Sequence, residues 1–257
     1  MTIAVTEATS SQSRTGARPS LVRYLALPVV LLAALLALYL AVHARPLDSI
    51  EARLVNTTVL TDSVLRHLQL TVVSTALVLV IAIPAGILLT RAFAAKVTSP
   101  TIAVFNIGQA IPSIGLMALF AIVWTIGFWP AIVALVAYSI LPVLRNTMIG
   151  LRQVDPAVIE SGRGMGMSKL AVLTRIELPL AVPVILTGLR TALVINVGTA
   201  ALGTFIGAGG LGNVIDGGLV QNRPLVTVVG SVLTAALALL VDYLAGIAED
   251  LLRPRGL

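Results

Sequence analysis

Apolar residues in this chain fall into long runs broken by short polar segments. The runs cover 21–42, 70–89, 102–124, 130–144, 181–202 and 225–247. A helix rising ~1.5 Å per residue crosses a ~30 Å hydrocarbon core in about 20 residues, so each run predicts a membrane-spanning helix, with 130–144 the short one. An even number of spans puts both termini on one side. Residues 43–69 carry Asp48, Glu51, Asp62, Arg66 and His67 among spaced apolar positions, which predicts an external segment of short interfacial helices. Residues 1–20, polar and rich in Ser, Thr and Ala, predict a disordered cytoplasmic tail, and 248–257 a second tail. The run at 21–42 is long for a signal-peptide core and no convincing small-residue cleavage site follows it, so it reads as a retained anchor.

Composition agrees with that environment. Apolar residues make up 58% of the chain and charged ones 11%, with a mean hydropathy of +1.02, which no ordinary soluble surface tolerates. The 257 residues suffice for about five to seven spans with short loops and leave no room for a nucleotide-binding or ligand-binding domain. The fold expected is an all-α integral membrane protein of about six transmembrane helices. The net charge of +6 is assigned to membrane-flanking loops rather than to nucleic acid. With both termini inside, Arg14, Arg18, Arg23, Arg91, Lys96, Arg145, Arg152, Arg163, Lys169, Arg175, Arg253 and Arg255 are cytoplasmic. Arg45, Arg53, Arg66 and Arg223 are left outside. The absence of cysteine removes disulfide and thiolate chemistry.

One polar insert has a pattern of its own, ESGRGMGMSKLAVLTRIELP at 160–179. Asp155 can cap a helix that opens on Pro156 and runs toward Glu160. Gly162, Gly164 and Gly166 then permit a tight turn, and Ser168 can cap a second helix through Ile176 that Pro179 stops. Two readings stay open on pattern alone: a docking surface, or a membrane-parallel loop packed on its own helix ends.

The order ESGRGMG at 160–166, nine residues, then IELP at 176–179 resembles the loop that marks the membrane permeases of ABC importers. That loop usually opens with Glu-Ala-Ala; Ser161 and Gly162 stand in place of the alanines, and glycine there makes the helix end a point of difference. The resemblance implies a type I importer permease core over 70–247, with residues 145–180 holding a cytoplasmic coupling helix that enters a cleft of the ATPase. By that likeness Glu160 makes an exposed electrostatic contact, Asp155, Gly162 and Gly166 shape the loop, and Ile176, Leu178 and Pro179 anchor it. IGQAIPSIGLMAL at 107–119, AYSILPVLRNTMIGLRQVDP at 137–156 and NVGTAALGTFIGAGGLG at 196–212 resemble permeases for osmoprotectants such as glycine betaine, choline and carnitine. The partners implied are an ABC ATPase dimer using ATP and Mg, a second permease chain, identical or paralogous, and an external or periplasmic substrate-binding protein, in a bacterial cytoplasmic membrane. This chain itself would be non-catalytic and hold no cofactor. Rival readings are an importer permease for another small solute such as an amino acid, an ion-coupled secondary transporter, and a membrane scaffold.

Other residues draw attention. Asn106, Gln109 and Ser113 are spaced to share one helix face, with Pro112 able to bend the helix, and are candidates for a pathway or for polar packing. Asn196 and Thr199 carry the same two readings. Gly207, Gly209 and Gly212 fit a dinucleotide fingerprint, but the strand–turn–helix setting is missing. With Gly210 they read instead as an external connection before the last span, which the resemblance places near the binding protein. Arg190 and Asp242 are expected to pair. Trp124, Phe128 and Trp129 are expected to anchor at the interface. His43 and His67 are placed outside the core and lack the ligand set for a metal site.

Overall fold

The computed structural model describes residues 21–252, and within them the secondary structure is helical. The expectations for residues 1–20 and 253–257, Arg14, Arg18, Arg253 and Arg255 included, lie outside the described residues. Helix α1 (Leu21–His43) is followed by a short α2 (Ser49–Leu54) and a long α3 (Thr57–Leu89). A 3-10 turn (Ala92–Ala94) leads into α4 (Ala95–Ala110), α5 (Ser113–Val123) and α6 (Phe128–Arg152). A loop with α7 (Pro156–Gly164) and α8 (Lys169–Val172) joins α9 (Leu178–Ala200). After a second 3-10 turn (Ala201–Ile206) come α10 (Leu211–Val220) and α11 (Pro224–Leu252). Among the described residues, five helical stretches are long and apolar enough to cross a membrane, and the bent pair 92–110 and 113–123 makes a sixth if taken as one span.

Helix α6 sits at the centre, packed between α3 and α9, and its buried face runs from Pro130 to Leu151. One apolar cluster joins Leu70, Met117, Ile132, Leu135 and Ile206. A second joins Val78, Ala82, Ile140, Leu144, Met148 and Ala192 nearer the end that carries the 153–177 loop, called here the loop end. Helix α1 leans on α11 and leaves most of its apolar surface exposed, as a helix bathed in lipid does. Its loop end is tied down where the Tyr24 hydroxyl donates to Asp250 Oδ2 at 3.0 Å and Tyr243 donates to the Tyr24 carbonyl at 2.8 Å.

Three expectations change. The short run at 130–144 belongs to a helix of 25 residues: Arg145, Asn146 and Thr147 lower the hydropathy without breaking the backbone ladder, and Thr147 is buried, donating to the Val143 carbonyl at 2.8 Å. The expected chain of interfacial helices reduces to α2, because residues 57–69 are the first turns of α3. Asn56 starts that helix, its side chain accepting from the Val59 N–H at 2.9 Å. The run at 102–124 is cut at Ile111 and Pro112 with a bend of 97°. Proline brings no N–H and forces its predecessor out of the helical region; Ile111 has ψ 131°.

At the opposite end, α2 forms a charged cap. Asp48 accepts from the Ile50 and Glu51 N–H groups, and Glu51 reaches back to the Asp48 N–H while Arg45 donates to both its oxygens. Arg223, from the turn before α11, pairs with Asp48 at 2.7 Å. The Glu51 N–H above all holds Asp48 below the usual carboxylate range, and the Arg45 hydrogen bonds do the same for Glu51. Both folded values lie below the unfolded ones. Their contribution to stability is therefore present above the ordinary carboxylate pKa and lost as pH falls through the lowered folded values. We expect acid to loosen this cap first, read as lower hydrogen-exchange protection in 48–56, relative to free amides at the same pH, below about pH 4, with Asp48→Asn flattening the dependence; protection that does not change with pH would contradict it.

Candidate functional site

The insert builds a compact helix–turn–helix. Asp155 accepts from the Ala157 N–H at 2.8 Å with Pro156 in the first turn, as its sequence predicts. The helix does not end near Glu160. It passes through Ser161 and Gly162 to Gly164, and the turn falls at 165–167, where Gly166 adopts φ +84°. Gly162 is buried inside the helix because α7 lies on the segment that follows: a β-carbon there would stand 2.6 Å from Ile176 Cδ1. That atom is the movable end of the isoleucine, so a small shift of its side chain would seat an alanine at 162. Ser168 caps α8, accepting from the Ala171 N–H at 3.2 Å.

Pro179 does not stop the second helix. Residues 173–177 widen into a π turn in which the Leu178 N–H donates to the Leu173 carbonyl, and the chain continues into α9 as one helical stretch from Lys169 to Ile206. The extra residue places the irregular turn just where proline would leave an acceptor without its N–H, and the helix absorbs the loss. Ile176 and Leu178 are half-buried against the bundle, and Pro179 is exposed. Glu160 is exposed, and so are Val158, Met165 and Leu170 and the basic residues Arg163, Lys169 and Arg175. This is a capped helix–turn–helix that exposes apolar side chains and charges of both signs.

Beneath it lies a pair that the sequence reading passed over. Glu177, in the π turn, is buried, and Arg91, just beyond α3, grips it from both sides: Nη2 donates to Oε2 at 2.6 Å and Nη1 to Oε1 at 3.3 Å. Its signal was an acid and a base at the same end of two separate spans, in positions otherwise read as loop.

The candidate pathway residues do not form one strip. Asn106 accepts from Arg145 at 2.7 Å, and Gln109 donates to the Tyr138 carbonyl at 2.9 Å, so both face α6. Ser113 starts α5, beyond the bend, and leaves their face. Asn196 is fully buried between α9 and α3 and donates to Thr75 Oγ1 at 2.9 Å; Thr199 is half-buried nearby. Arg190 and Asp242 pair as expected, bidentate at 2.5 and 2.6 Å, with Glu249 3.9 Å away.

The glycine-rich connection is clamped by two neighbours on α3. Gly207, Gly209 and Gly210 have φ of +70°, +86° and +96°, and Gly212 opens the first turn of α10. Arg66 donates to the Ala208 carbonyl at 2.9 Å and lies 4.3 Å over the Phe128 ring. His67, expected outside the core, is buried within it. Charged and polar residues make 43–69 look like surface, but from Thr57 onward the chain is already α3, packed in the bundle. One ring nitrogen receives the Leu211 N–H at 3.3 Å, so the other carries the proton and donates to the Val197 carbonyl at 2.8 Å. Trp124 and Trp129 stand exposed at the same end.

A bundle of long apolar helices, one of them a broken span, with a capped helix–turn–helix fused to a continuous helix at one end, is the architecture of a membrane transport permease. The chain belongs to the family of binding-protein-dependent transport system inner membrane components, whose profile matches residues 82–255. It is 40% identical over 191 residues to the choline transport system permease protein OpuBB of Bacillus subtilis (strain 168), covering 74% of this chain and 87% of that one. It is likewise 40% identical over 210 residues to the osmoprotectant import permease protein OsmY of Salmonella typhimurium, covering 82% and 88%. The inward-facing MetNI methionine ABC transporter superposes with a TM-score of 0.67 at 27% identity, over 76% of this chain and 96% of that one. The protein is therefore a multi-pass membrane permease with the type I importer fold.

Proposed function

We propose that this permease imports osmoprotectants of the glycine betaine, choline and carnitine class, and that residues 155–179 dock it on an ATPase chain that uses ATP and Mg. The observation that carries the docking reading is the capped, exposed loop itself. Caps at Asp155 and Ser168 and the Gly162–Ile176 contact hold Glu160 exposed on a helix–turn–helix that runs on into α9 through the π turn. The substrate class rests on the likeness to permeases named for choline, carnitine and osmoprotectants. In this reading a second permease chain completes the pathway, an external binding protein meets the opposite end near Gly207, Gly209, Gly210 and Gly212, and both termini are cytoplasmic. The basic residues gathered at the loop end support that orientation.

The test is reconstitution. Proteoliposomes holding the permease, its mate, the ATPase and the binding protein are expected to take up glycine betaine, choline or carnitine only with internal ATP. Uptake by this chain alone on an ion gradient would overturn the class. Glu160→Arg is expected to lower substrate-stimulated ATP hydrolysis by about tenfold or more, because a reversed charge facing a docked partner costs ~2–5 kcal/mol, with membrane insertion unchanged. Unaltered stimulation would remove Glu160 from the docking surface.

A further inference from the structure

The pair formed by Arg91 and Glu177 joins two parts of the molecule that the chain keeps 86 residues apart. Glu177 sits in the π turn, the last residue before α9, so displacement of the docking loop passes through it to reach α9. Arg91 sits at the corner where α3 gives way to the 3-10 turn and α4, the first half of the broken span. That corner is stiff. The Thr98 hydroxyl lies 3.0 Å from the Leu89 carbonyl and 2.9 Å from the Ala94 carbonyl, stapling the start of α4 to the end of α3, and Arg91 Nε adds a bond to the Ile87 carbonyl at 3.3 Å.

We propose that Arg91 and Glu177 are positioning residues for coupled transport, a permanent clamp that makes the α3–α4 corner travel with α9 when the docking loop moves. The inference rests on the reading of residues 155–179 as the ATPase-docking loop and adds the route by which its motion reaches the broken span. Two physical features support a clamp that stays closed. Both Glu177 oxygens are engaged in a planar fork, which fixes direction as well as distance. The Glu177 side chain is only 6% exposed, and separating the pair there would strand a desolvated carboxylate, a far worse state than parting two surface charges. The π turn supplies the complement: it is the irregular point at which the helix can flex, and the clamp lies on it rather than beyond it. Motion of the loop is thus divided between the axis of α9 and the corner that leads to α4 and α5.

The test uses the complete transporter in proteoliposomes and reads solute taken up per ATP hydrolysed, which a purely structural role would leave alone. Glu177→Gln and Arg91→Gln are each expected to lower that ratio about tenfold, within the range of site-to-site coupling, while the ATPase still co-purifies. The exchange Arg91→Glu with Glu177→Arg should recover most of it. Because the chain has no cysteine, Arg91→Cys with Glu177→Cys gives a second arm: poorly coupled as free thiols, it should regain uptake when a short bifunctional thiol reagent joins the two positions. An unchanged ratio in the glutamine variants, or a joined pair that stays inactive, would overturn the clamp. Failure of the docking reading shows separately, as wild-type permease that captures no ATPase and a Glu160→Arg variant that hydrolyses ATP like the parent.

Discussion

Gly212→Ala should abolish or severely reduce recovery of folded permease from the membrane, a large result for one methyl group. A β-carbon at 212 would lie 1.9 Å from the Ala201 carbonyl oxygen, 2.8 Å from its carbon and 3.1 Å from Thr204 Cβ. The first two are backbone atoms, so no rotamer change relieves the overlap; α10 must move away from the 3-10 turn at 201–206. Overpacking a core by a methylene costs about 1–3 kcal/mol when side chains can yield, and here at least ~3 kcal/mol is expected because they cannot. A suitable comparison is Gly198→Ala on α9, where nothing lies within 4 Å of the new carbon. Within a helix that change gains roughly 0.5–1 kcal/mol. The two variants should move the thermal unfolding midpoint in detergent in opposite directions. Equal midpoints would mean that α10 is not seated against Ala201 as described.

The same glycine marks the limit of reading motifs. Gly207, Gly209 and Gly212 match a nucleotide-binding spacing, yet two of them serve left-handed backbone and the third serves helix contact. Sequence spacing records that glycine is needed and not what approaches it.

What the sequence shows well are features set by local chemistry. Apolar runs located the spans, because a hydrocarbon environment demands them residue by residue. Asp155 and Ser168 were identifiable as caps because capping is decided within three residues. Features set by distant neighbours were hidden. Pro179 reads as a stop until the π turn before it is seen, and Glu177 reads as a loop residue until Arg91 is found beside it. Ser113 drops out of the Asn106 and Gln109 face because a bend of 97° is a three-dimensional outcome of Pro112, while the spacing rule assumes a straight helix. Residues 57–69 looked polar enough for an interface, but Ser63, His67 and Leu70 share the buried side of α3.

His67→Leu is the second variant expected to have a large effect, for a reason opposite to that of Gly212: a group is lost rather than added. The imidazole ends two helices at once. It gives a donor to the Val197 carbonyl where α9 tightens toward the 3-10 turn, and an acceptor to the Leu211 N–H at the start of α10, an orphan donor of the first helical turn. Leucine fills similar space and satisfies neither, leaving two backbone groups beside a fully buried position. Each unsatisfied group costs roughly 1–3 kcal/mol, so about 2–5 kcal/mol of stability should go if nothing else reaches them. Local opening should appear first at 207–211, the connection that His67 and Arg66 hold, and protease cleavage there should accelerate before the whole bundle melts. His67→Gln separates hydrogen bonding from packing, since its amide supplies one acceptor and one donor site in a flexible side chain. It should recover part of the loss, whereas a leucine variant melting with the parent would show that the imidazole only fills space.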